Sequence, residues 1–179
     1  MTADLGRSAT GRGGVDPGAA AALAALAERS LTLSTAESLT GGLIGELLTS
    51  VPGASRCYVG GVISYATRLK HSLVGVPAST LADVGPVAEQ TAAAMAEGVA
   101  ERCGSDWGLA VTGVAGPESQ DGHPVGQVFV GLARPGTGWV RVDELRLTGD
   151  RPAIRWRTAV EALALLTDAV RNNAPAAQR

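Results

Sequence analysis

Near the middle of the chain, the seven residues Trp107 to Gly113, WGLAVTG, form an almost continuous apolar run that ends in the Gly/Pro/polar loop VAGPESQDGHP. A short apolar run without alternation is the pattern of a strand buried on both faces of a sheet, and such a sheet needs helices above and below it. The flanking sequence supplies them. An Ala/Leu-rich segment from Ala19 to Ser30 predicts a first helix, and LTLSTA, Leu31 to Ala36, predicts a strand that ends at the turn E-S-L-T-G-G. Gly42 to Val51 reads as a helix closed by Pro52-Gly53, and YVGGVISY, Tyr58 to Tyr65, as a second strand whose paired glycines mark close backbone approach. Lys70 follows on a short helical or turn segment.

From Pro86 to Arg102, Val87, Thr91, Ala94, Met95, Gly98 and Val99 recur at helical spacing while Glu89, Glu97 and Glu101 fall on another side, the signature of an amphipathic helix. VGQVFVGLA and WVRVDELRL alternate around Arg134 to Gly138 and predict a hairpin, which makes the sheet mixed. Asp150 is placed to cap a last helix with Pro152 in its first turn and Trp156, Val160, Leu163, Leu166 and Val170 as its buried stripe. Strands alternating with helices give the α/β class, here a three-layer α/β/α sandwich with a mixed, mostly parallel sheet.

At 179 residues and 45% hydrophobic, the chain suffices for one core. The expected organisation is a flexible amino-terminal tail over residues 1–17, a single domain over 18–172 and a frayed end over 173–179. A formal charge of -2 with no block of like charges gives no footprint for nucleic acid or an anionic membrane. No run approaches the roughly 18 apolar residues of a membrane span, and MTADLGRSATGRGGVDPG lacks a signal-peptide apolar region, so a cytoplasmic location is expected. Cys57, Cys103, His71 and His123 show no metal-ligand spacing; no metal is expected, and both cysteines read as reduced packing residues.

Of fifteen basic residues, Lys70 is the only lysine. Chance allows that, and so does chemistry, because an amine can shed its proton at accessible pH and a guanidinium cannot. Three polar clusters each follow a predicted strand: Glu37 to Gly42, Tyr65 to Lys70, and Thr112-Gly113 with its loop through Ala115 and Gly116. If the three strands run parallel, the clusters converge at the carboxyl edge of the sheet, where open α/β folds hold ligands.

Ser38 would then stand just before a helix whose first turn carries Gly41 and Gly42, leaving amide groups free to approach an oxyanion or a phosphate. The alternative is that Ser38 or Thr40 merely caps that helix. A serine nucleophile needs a base, and Lys70 qualifies if its pKa falls from about 10.4 toward 7 or 8. Tyr65 is placed to relay or orient the proton; alternatively Lys70 is a surface lysine and Tyr65 a core-packing aromatic. Tyr65 and Lys70 are spaced one residue too far for the short-chain dehydrogenase pair, and neither G-x-G-x-x-G nor G-x-x-x-x-G-K-[ST] occurs. These absences argue against a nicotinamide-dependent reductase and a P-loop NTPase.

The set T-A-E-S-L-T-G-G, V-P-G-A-S-R-C-Y-V-G-G-V-I-S-Y, Lys70, V-T-G-V-A-G-P, P-V-G-Q-V and G-D-R-x-x-I-R (Gly149 to Arg155) resembles the carboxy-terminal domain of the competence- and damage-inducible protein CinA, a domain that also occurs alone as nicotinamide-nucleotide amidohydrolase. The resemblance runs from about Ala19 to Val170. It implies hydrolysis of the carboxamide of nicotinamide mononucleotide to nicotinate mononucleotide and ammonia, without metal or cofactor, by a homo-oligomer. It assigns Ser38, Tyr65 and Lys70 to catalysis, and Thr40, Gly41, Gly42, Thr112, Gly113, Ala115 and Gly116 to substrate binding; Glu37 is read as a substrate contact as well, with orienting Ser38 or stabilising the helix start through its charge as the alternatives.

The chain departs from the family pattern in having Leu39 where the family usually has cysteine, Val87-Ala88-Glu89 for V-S-E, and Glu118-Ser119-Gln120 with His123 where the family tends to carry two glycines and a lysine. An acid near a phosphate-bearing substrate would repel it or narrow the pocket. A different small amide, or a pocket that binds a nucleotide without turning it over, are therefore the competing readings. The longer proteins of the family also carry an amino-terminal domain resembling molybdopterin-binding proteins, whose functions are not carried over here.

Overall fold

Strand β1, Leu33–Glu37, lies between β2, Tyr58–Ile63, and β3, Trp107–Gly113, and pairs parallel with both. Strand β4, Gln127–Arg134, runs antiparallel to β3, and β5, Trp139–Arg146, antiparallel to β4, giving the order β2-β1-β3-β4-β5. The parallel β1, β2 and β3 are those whose carboxyl ends carry the three polar clusters. This architecture comes from a computed structural model that describes residues 14–173.

Alternation along β3 divides the core between two layers of helix. Trp107, Leu109 and Val111 are buried on the face covered by α1 (Pro17–Ala27), α2 (Leu43–Thr49) and α6 (Arg151–Asn172). Ala110, with Ala36 and Ala133, packs on the opposite face against Met95, Ala96 and Val99 of α5 (Glu89–Cys103) and against Val74 and Val76. Helix α5 lies so close that a Cβ on Gly108 would run into the Ala96 carbonyl, which is why the buried run contains a glycine. The sandwich and the mixed sheet agree with the sequence expectation, and β3 has the predicted limits.

Several boundaries differ for physical reasons. Helix α1 begins at Pro17, because the Asp16 carboxylate accepts the Ala19 amide hydrogen at 2.9 Å and Pro17 occupies the first turn. The tail expectation therefore loses Pro17, and residues 1–13 and 174–179 lie outside the described residues. Helix α5 starts at Glu89 rather than Pro86, since Ala88 is extended. Lys70 rides on α3, Thr67–Ser72, and a further helix, α4 (Ala78–Val84), buries no residue and so offers no apolar stripe to read. Asp150 caps α6 as expected, accepting from the Ala153 amide at 3.0 Å.

Candidate active site

The carboxyl ends of β1, β2 and β3 open into a cavity of about 300 Å³, in the range of small-ligand sites. Ser38, Tyr65, Lys70, Thr112, Gly113, Ala115 and Gly116 all line it, joined by Arg151, Glu118 and Gln120.

At its floor, Lys70 Nζ donates to Ser38 Oγ at 2.8 Å and to the Ser64 carbonyl oxygen at 2.8 Å. Lys70 is only 1% exposed, and this burial lowers its pKa to about 8, because the charged form loses hydration it would keep in water. It is thus no surface lysine. Ser38 reaches the floor because β1 ends at Glu37 and the Ser38 amide still donates to the Val111 carbonyl of β3 at 3.1 Å, carrying the sheet one residue further.

The turn beyond Ser38 is held from two sides. Glu37, 2% exposed, accepts the amide hydrogens of Gly42 at 3.0 Å, Ile44 at 3.1 Å and Gly45 at 2.8 Å. A carboxylate from the preceding strand therefore serves the start of α2, whose N-cap is Gly42, and neither Ser38 nor Thr40 caps it. From the other side, Arg155 Nε donates to the Leu39 carbonyl at 3.0 Å and Arg155 Nη2 to the Thr40 carbonyl at 2.6 Å.

Glu37, Thr40, Gly41 and Gly42 consequently lie off the cavity wall. That contact was expected from the family resemblance and, for the glycines, from amides free at a helix start; Glu37 stabilises that start instead. The Gly42 amide is instead taken by Glu37, and the Gly41 amide donates to the Ser38 carbonyl at 3.1 Å. Among the described residues, the amides of Leu39 and Thr40 have no protein acceptor. Leu39, by contrast, is a wall of the cavity.

Tyr65 is 57% exposed, so it does not pack into the core. Its hydroxyl accepts from Arg151 Nη2 at 2.8 Å, and among the described residues it bonds neither Ser38 nor Lys70. Arg151 Nη1 also donates to the Gly116 carbonyl at 2.8 Å, tying the β3 loop to the end of β2. Thr112 is buried and its hydroxyl donates to the Pro86 carbonyl at 2.7 Å, so it presents backbone rather than a free hydroxyl. Arg151, Arg155 and Ser64 were not singled out from sequence for the site. The signal for the arginines was the Gly149 to Arg155 motif, which places both one turn apart on α6.

Among the described residues, no group of three or more His, Cys, Asp and Glu side chains could hold a metal ion, and no helix is long and apolar enough to cross a membrane. Cys57 and Cys103 are free.

Residues 15–170 match the model of the CinA C-terminal domain family. A CinA-like protein of Frankia casuarinae is 51% identical over 144 residues, 80% of this chain and 33% of that protein, and one of Myxococcus xanthus is 44% identical over 156 residues, 86% of this chain and 37% of that protein. The chain thus spans about a third of the length of these curated relatives. Among solved structures, a competence-damaged protein (CinA) superfamily protein of Klebsiella pneumoniae superposes with a TM-score of 0.83 at 30% identity, covering 87% of this chain and 96% of that one. The competence/damage inducible protein CihA of Agrobacterium tumefaciens gives 0.80 at 35% identity, covering 86% and 93%.

Proposed function

The chain belongs to the CinA C-terminal domain family, and from that premise we propose that it is an amidohydrolase converting nicotinamide mononucleotide to nicotinate mononucleotide and ammonia, in pyridine nucleotide recycling in the cytoplasm. The observation that carries this reading is the buried Lys70 Nζ 2.8 Å from Ser38 Oγ at the floor of the cavity.

With a pKa near 8, a useful fraction of Lys70 is neutral at physiological pH. The neutral amine donates one hydrogen to the Ser64 carbonyl and turns its lone pair to the Ser38 hydroxyl hydrogen. As Ser38 Oγ bonds to the carboxamide carbon, the hydroxyl proton passes to Lys70 and the amide oxygen becomes an oxyanion. The unengaged amide of Leu39, a residue of the cavity wall, is the candidate donor to it. Lys70 then gives its proton to the leaving nitrogen, the C–N bond breaks and ammonia departs. Water, deprotonated by the same amine, attacks the Ser38 ester; the C–O bond breaks, Lys70 returns the proton to Ser38 Oγ, and the acid product ionises to the carboxylate. No metal or cofactor enters these steps.

Arg151 supplies the exposed cation of the cavity and is the candidate partner for the ribosyl phosphate, while Tyr65, bonded to it, keeps its hydroxyl hydrogen free for substrate. Thr112, Gly113 and Ala115 complete the lining, and the Gly116 carbonyl is held by Arg151. One observation favours a second reading: Glu118 is also on the wall, and a carboxylate there suits a small amide without a phosphate. Rates on nicotinamide mononucleotide, nicotinamide riboside and nicotinamide separate the two. The first reading expects the mononucleotide to be hydrolysed fastest, and faster turnover of either compound lacking phosphate would favour the second.

A further inference from the structure

We infer that Arg155 is a positioning residue for the nucleophile, holding the turn that follows Ser38 so that the Leu39 amide faces an oxyanion; this rests on the hydrolytic reading of the Ser38–Lys70 pair. Arg155 stands on the second turn of α6, and its fork spans two consecutive carbonyls, Leu39 at 3.0 Å and Thr40 at 2.6 Å. The Leu39 carbonyl and the Thr40 amide belong to one trans peptide, so they point in opposite directions. Drawing the carbonyl to α6 therefore turns the Thr40 N–H away from α6. The Ser38 carbonyl, which shares its peptide with the Leu39 amide, is fixed in turn by the Gly41 amide at 3.1 Å.

Three successive peptide planes are thus set, and the two amide hydrogens left without a protein acceptor are those of Leu39 and Thr40. Of the two residues, both buried, Leu39 lines the cavity, and buried amides are rarely left unpaired without a ligand or water to receive them. The cation on the Thr40 carbonyl also strengthens the Gly41 N–H as donor to the Ser38 carbonyl and, through that bond, the Leu39 N–H that shares its peptide. Gly41 fits the same picture: its φ of +61° makes the tight turn, and a Cβ there would stand 3.4 Å from Arg155 Nη2. Lysine could reach one carbonyl but has no planar fork to span both, so charge alone does not replace the guanidinium.

The test compares wild type, Arg155→Ala and Arg155→Lys in two assays: ammonia release from nicotinamide mononucleotide, and labelling of Ser38 by a fluorophosphonate. In the labelling step Ser38 Oγ bonds to phosphorus, fluoride leaves and the hydroxyl proton passes to Lys70, so it needs an active nucleophile and no particular amide. Labelling and kcat are expected to fall at least about tenfold in both variants, with KM within twofold of wild type and partial rescue of Arg155→Ala by added methylguanidinium. Arg155→Lys carries the test if the alanine variant does not fold. Labelling and kcat within twofold of wild type in a folded variant would overturn the inference, as would a wild-type Ser38 that takes no label. Arg155-dependent labelling without any ammonia release would keep it while removing the nucleotide substrate.

Discussion

The hydroxyl of Tyr65 accepts a hydrogen bond from Arg151 Nη2 at 2.8 Å, across 86 residues of sequence. This bond joins the tyrosine to the first turn of α6, away from Lys70, and sets a cation beside the cavity mouth. Arg151→Ala is expected to raise KM for nicotinamide mononucleotide by roughly 10- to 100-fold, the range of one charge-assisted hydrogen bond, and to leave that for nicotinamide riboside within about threefold. Steady-state kinetics on both compounds check this. Equal losses on both would assign Arg151 to holding the loop rather than to the phosphate.

The pKa of Lys70 fixes the pH dependence. The base must be unprotonated, so kcat/KM should rise with pH through an apparent pKa near 8 and level off above it. A profile already flat from pH 6 upward would exclude Lys70 as the titrating base.

Burial of Lys70 also has a cost to folding. Its pKa is about 8 in the folded protein and near 10.5 unfolded, so between those values the unfolded chain binds more protons and stability rises with pH. Below pH 8 the full penalty applies, roughly 3 kcal/mol from the size of the shift. Lys70→Met, which leaves the Ser64 carbonyl without its donor, is expected to gain about 1 to 2 kcal/mol at pH 7 and to lose activity. Urea denaturation at pH 7 and pH 10 reads both parts, and the gain should shrink at the higher pH.

Glu37 is expected to matter to the fold before it matters to chemistry. Glu37→Ala removes one carboxylate from three amides at the start of α2 and should cost about 3 kcal/mol. Equilibrium denaturation measures it. A loss below about 0.5 kcal/mol would mean that water or a shifted turn replaces the carboxylate with ease.

The residues legible from sequence were those whose signals are local. An apolar run without alternation gave β3 its limits, a lone lysine behind a strand pointed to Lys70, and three polar clusters after three strands located the cavity. Long-range partners were not legible. Arg155 meets Leu39 across 116 residues, and nothing in either segment announces the pairing. The glycine turn was misplaced through a local partner: Gly41 and Gly42 read as a cradle for an anion, and the anion held at that turn is the Glu37 carboxylate, from the last residue of β1. Helix α4 carries no apolar stripe, only Leu81 packing partly buried against the core, and Asp16 and Pro17 sit in a polar stretch that hides the cap of α1.

The most direct test is ammonia release from nicotinamide mononucleotide by the purified wild-type protein, with Ser38→Ala beside it. Ammonia and nicotinate mononucleotide should appear in equal amounts with wild type, and at least about a thousandfold more slowly with the variant. Release by Ser38→Ala at the wild-type rate, or none from folded wild type, would contradict the account.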